Sequence, residues 1–123
     1  MTKGEALHKF FSSFDMPAYP LNAVPKDVVL PYLTYTPVTA AFEEGEVSIT
    51  VDCWFYTDSE VIPNAKAQEI SSRIGRGGTT IRCEDGFVWL KRGSPFCQSV
   101  EEPNDKNIKR RHINVDAEFF TTD

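Results

Sequence analysis

The sequence predicts an α+β domain, with two helices on an antiparallel or mixed β-sheet in the order α-β-β-α-β-β-β-β. Three patterns carry that prediction. Apolar residues recur at helical spacing in two segments, alternate strictly in two others, and are punctuated by Gly and Pro between them. With 123 residues the chain fits one core, residues 1–123. A domain of this size buries roughly two-thirds of the surface of its unfolded chain, so it needs no metal or disulfide staple.

In "GEALHKFFSSF" Leu7, Phe10, Phe11 and Phe14 line one face of a short helix that Met16-Pro17 ends. Further prolines at Pro20, Pro25 and Pro31 make 17–31 an extended loop, because proline holds its predecessor in extended conformations. "YLTYT" is an aromatic, β-branched strand closed by Pro37, and an acidic bend, Glu43-Glu44-Gly45, joins it to the next. There Val47, Ile49, Val51, Cys53 and Phe55 alternate with Ser48, Thr50, Asp52, Trp54 and Tyr56, as in a half-buried antiparallel strand.

The second helix is "VIPNAKAQEISSRIG": Ala67, Ile70 and Ile74 share a face, Pro63 suits its first turn, and Gly75 suits its stop. Asp85-Gly86 then predicts a two-residue hairpin turn that pairs Glu84 with Phe87, Cys83 with Val88, Arg82 with Trp89 and Ile81 with Leu90. Arg82 would lie over the Trp89 ring. "PFCQSV" is expected to pair with the closing strand "IKRRHINVDAEFF" across the acidic polar loop 101–107.

Chemistry is not apparent in these residues. His8 and His112 lack spaced partners for a nucleophile relay, and "GRGG", Gly75 to Gly78, follows a helix, whereas a phosphate cradle precedes one. No catalytic residue, cofactor site or metal site is therefore expected. Cys53, Cys83 and Cys97 have no zinc-ligand spacing, which favours three buried thiols in a reducing compartment over a bridge from Cys53 to Cys83 or Cys97. No apolar run reaches membrane length, and the N-terminus lacks a signal-peptide pattern, so no membrane association or export is expected. With 18 acidic and 13 basic residues the net charge is −5, against a general grip on nucleic acid.

Aromatic side chains on the polar side of strands are more informative. Trp54, Tyr56, Phe87 and Trp89 need a cover, from the helices or from another subunit.

The segments "PYLTY", "VSITVDCWFY" and "NAKAQEISSRI", in this order after an N-terminal helix and a proline-containing loop, resemble the tail terminator and tail-completion proteins of long-tailed bacteriophages. The likeness is one of pattern from about Leu7 to Phe119. It implies a tail-terminator-like subunit, not an enzyme, that forms a homo-hexameric ring at the neck end of the virion tail. The ring would be assembled in the host bacterial cytoplasm, where it caps the tail tube protein and meets the head-side connector, with DNA only as cargo passing an acidic lumen. Candidate interface residues are Tyr19, Leu21 and Val24 in the extended loop; Trp54, Tyr56 and Trp89 on the strands; and Arg110 and Arg111, with Glu101, Glu102 and Asp105 as acidic counterparts. The alternatives are a head-tail connector adaptor of the same particle and a small non-catalytic ligand-binding α+β module.

Overall fold

The computed structural model describes residues 1–38 and 45–122. Helix α1 (Lys3–Phe11) starts at a capping box: the Thr2 hydroxyl accepts from the Glu5 amide at 3.1 Å, and Glu5 Oε1 accepts from the Thr2 amide at 2.9 Å. The hydrogen bond from the Thr2 amide, with a smaller contribution from the Thr2 side chain, holds the Glu5 carboxyl below its ordinary range. The helix buries Ala6, Leu7, Phe10 and Phe11, and Phe14 folds under just beyond its end, meeting the Phe10 ring edge-on at 5.4 Å.

The chain continues through β1 (Ala18–Pro20), a 3-10 turn (Leu21–Ala23), β2 (Tyr32–Tyr35) and β3 (Glu46–Tyr56). It then forms α2 (Val61–Ile74), β4 (Thr79–Cys83), β5 (Gly86–Glu101) and β6 (Ile108–Thr121). These strands form one six-stranded mixed sheet ordered β1-β2-β3-β6-β5-β4. Among the described residues, the β1–β2 pair alone is parallel.

Helix α2 packs against β3, β5 and β6 in the middle of the sheet, while α1 touches β1 and β4, its two edges. A sheet whose opposite edges reach the same helix must curl around it. Lys66 Nζ donates to the Phe14 carbonyl at 2.6 Å and an Arg73 guanidinium nitrogen to Ser13 Oγ at 3.0 Å, which ties α2 to the end of α1. Both helices thus cover one face.

The alternation in β3 sets the register. Ile49, Val51, Cys53 and Phe55 are buried beneath the helices, opposite Val115, Ile113, Arg111 and Lys109 of β6. A one-residue slip would expose all four, and an apolar side chain of this size loses roughly 1.5–3 kcal/mol when it is exposed. Leu33, Tyr35, Val88, Leu90, Ile70 and Ile74 complete this core.

Four sequence expectations change. First, the loop 17–31 contains β1 and the 3-10 turn, because Ala18, Tyr19 and Pro20 pair in parallel with Leu33, Thr34 and Tyr35. Second, the tight turn is Glu84-Asp85: Cys83 pairs with Gly86, Arg82 with Phe87 and Ile81 with Val88. Gly86 has φ 153°, and a Cβ there would fall on the Phe120 carbonyl oxygen, so the glycine serves close strand approach. The expected register differs by two residues, which leaves Ile81, Cys83, Val88 and Leu90 on one face.

Third, Lys91 rather than Arg82 stands over the Trp89 ring, with Nζ 4.2 Å from its centroid. Fourth, "PFCQSV" is no separate strand. It is the second half of β5, joined to the first through an irregularity between Arg92 and Cys97. Arg92 pairs with Val115 and Cys97 with Ile113, so five steps on β5 match two on β6 and three residues are extra. An odd excess inverts the alternation, and the side chain of Asn114 holds the bulge through the Pro95 carbonyl at 2.9 Å. The sheet accordingly has three strands after α2 where four were expected. Of the acidic bend Glu43-Glu44-Gly45, only Gly45 lies within the described residues.

Candidate subunit interface

With both helices on one side, no layer among the described residues lies over the other face of the sheet. Its residues are the alternate positions: Tyr19 on β1; Tyr32 and Thr34 on β2; Asp52, Trp54 and Tyr56 on β3; Arg110, His112 and Phe120 on β6; Phe87, Trp89 and Lys91 on β5. The helices do not supply the cover that the outward aromatics call for. Those aromatics gather at two ends.

At one end Tyr19 meets Tyr32 edge-on at 6.2 Å, and Tyr32 stacks on Trp54 at 6.1 Å. The Arg110 guanidinium lies over the Trp54 ring, 4.8 Å from its centroid. Arg110 Nε also donates to Asp52 Oδ1 at 2.9 Å, and His112 Nδ1 lies 2.9 Å from the same oxygen. Asp52 thereby aligns two β6 side chains along the aromatic row. Burial in this cluster raises the Tyr32 phenol above its ordinary pKa.

At the other end Phe87 stacks on Phe120 at 5.0 Å, and Trp89 leans on Phe120 at 6.5 Å. Lys91 covers Trp89 while pairing with Glu46 and Glu118. Trp89 Nε1 donates to the Gly77 carbonyl at 3.0 Å, anchoring the "GRGG" turn. Phe87 and Phe120 are 40% and 43% exposed, which leaves this apolar end open to a partner. From Arg110 to Phe120 is ten steps of a strand, roughly 33 Å at about 3.3 Å each. The two clusters are too far apart to form one patch.

The structure brings Tyr19, Trp54 and Arg110 together and places Trp89 in the distant cluster. Tyr56 continues the Trp54 side of β3 and is 61% exposed; Leu21 is 58% exposed in the 3-10 turn, and Val24 is half-buried just after it. Arg111 instead points under the helices. It is 3% exposed, donates to Glu60 Oε1 and to Asn64 Oδ1 at 2.9 Å, and holds the Glu60 carboxyl below its ordinary range.

Glu101 closes β5, and Glu102 and Asp105 lie in the connection to β6, where Asp105 Oδ1 accepts from the Asn107 amide at 2.9 Å. Neither arginine is paired with this loop, because Asp52 and Glu60 already occupy them. Tyr32 and Phe120 join these clusters without being among the candidate interface residues of the sequence. Both were signalled by alternation: Tyr32 precedes core Leu33, and Phe120 follows core Phe119.

Among the described residues, no group of three or more His, Cys, Asp or Glu side chains is placed to hold a metal ion. All three cysteines are free thiols, and burial pushes the Cys53 thiol up to about 12. His8 Nδ1 lies 2.9 Å from the Tyr35 hydroxyl. No helix among the described residues is long and apolar enough to cross a membrane. Compared with protein-family models, curated proteins and solved structures, the chain gives no match.

Proposed function

We propose that the chain is a structural virion protein that forms a ring, a hexamer, terminating a phage tail tube and joining it to the head-side connector. The observation that carries this reading is the uncovered sheet face with aromatic clusters at opposite ends. Two unlike patches on one subunit suit head-to-tail contacts, which close into a ring when the rotation fits. Six copies at −5 each carry about thirty negative charges, and an acidic lumen would let DNA slide without sticking.

The test is light scattering and negative-stain microscopy of the purified chain, alone and with tail tube protein or with portal rings. Rings that cap tubes support the terminator role. Rings that seat only on portals move the subunit to the connector adaptor position. A monomer at high concentration that seats on neither refutes the structural reading.

A further inference from the structure

We infer that the acidic tip between β5 and β6 of one copy docks in a basic cleft between α1 and β4 of the next. This inference rests on the ring reading above and specifies its contact. The cleft has a volume of about 520 Å³, with Phe10 and Ile81 among its apolar lining. Lys9 and Arg73 line it against a single acid among the described residues, Glu84, and Arg82, paired with outward Phe87 on the edge strand β4, lies at its rim. Arg73 is partly engaged, its guanidinium 4.9 Å from the Phe14 ring centroid. Lys9 and Arg82 are exposed and have no acidic partner among the described residues.

The tip has the complementary character. Glu101 and Glu102 have no basic side-chain partner among the described residues, and Pro103 between them and Asn104 is an exposed apolar residue suited to Phe10 and Ile81. Within one chain the two sites cannot meet. Glu101 pairs with Lys109 at one end of β6, whereas Gly86, beside the cleft strand, pairs with Thr121 at the other. Twelve strand steps separate them, roughly 40 Å. The contact therefore runs between copies, head to tail, and generates a ring or an open filament according to its rotation.

The test reverses charge on each side in the full chain: Lys9→Glu with Arg82→Glu, and Glu101→Lys with Glu102→Lys. All four positions lie at the surface or half-buried, and circular dichroism verifies each fold. Light scattering at low salt should show each double variant assembling at least about tenfold more weakly than the parent, because like charges then face each other. A one-to-one mixture should recover assembly as alternating copies, since the acidic cleft of one variant accepts the basic tip of the other. Recovery on mixing also excludes misfolding as the cause of the loss. If the parent assembles and neither reversal weakens it, or if mixing restores nothing, this contact is wrong while the ring reading stands. If the parent never assembles, the ring reading itself fails and takes this contact with it.

Discussion

Arg111 offers a demanding test of how the helical layer is fastened to the sheet. Its side chain is 4% exposed, whereas that of its partner Glu60 is 56% exposed, so one ion of the pair is dry and the other wet. Removing the acceptors while keeping the guanidinium, as in Glu60→Ala with Asn64→Ala, strands a buried cation. Breaking a buried pair in this way costs about 3–5 kcal/mol, and the exposure of Glu60 places the expected loss near the lower figure. Arg111→Met removes the cation, keeps the apolar stem, and leaves Glu60 and Asn64 free to be hydrated. Its expected cost is within about 1 kcal/mol, because an isosteric apolar replacement of a buried ion is often neutral. Urea unfolding at neutral pH gives both values from midpoints at constant slope. A loss for Arg111→Met as large as that of the double variant would refute the argument, since it would make the pair itself, rather than the stranding of one ion, the source of stability.

The Glu60 carboxyl, held below its ordinary range by its hydrogen bond from Arg111, contributes stability that is present above its unfolded pKa and lost as pH falls through the folded one; Glu60→Gln should therefore be less stable than the parent at pH 7 and equal to it at strongly acidic pH, as measured by urea midpoints at each. Trp54 Nε1 is buried without an acceptor among the described residues, so Trp54→Phe, which keeps the stack on Tyr32, should leave stability unchanged or raise it by up to about 1 kcal/mol in a thermal melt. Gly86→Ala drives a methyl into the Phe120 carbonyl and should cost more than about 2 kcal/mol by the same assay. A thiol reagent should modify Cys53 last of the three cysteines, and only on unfolding, since burial pushes that thiol up to about 12.

Local periodicity made much of the fold legible. The strict alternation of β3 announced which residues would be buried, and the spacing of Leu7, Phe10 and Phe11 announced the face of α1. Features settled by distant partners were not legible. Asp85-Gly86 is a strong turn signal, yet the close approach of the Phe120 carbonyl, far along the chain, places Gly86 in the strand instead. β1 has no periodicity of its own and exists because Leu33 and its neighbours offer a free edge. Alternation along β6 sends Arg110 and Arg111 to opposite faces, opposite Trp54 and Cys53 of β3. It could not foretell that the first turn of α2 would bring Glu60 and Asn64 over Arg111, and so take that residue out of any exposed patch.

The bulge in β5 bears on how this chain tolerates changes of length. Because three surplus residues invert the alternation, the halves of the strand are out of phase, and Leu90 and Cys97 both reach the helical side from positions of opposite parity. Removing or adding one residue within 93–96 would act like a reading-frame error confined to one strand, exchanging the inner and outer residues from Cys97 to Glu101. A change of two would restore the phase and alter only the size of the loop. The segment behaves as a parity element, open to variation in pairs and closed to variation by one.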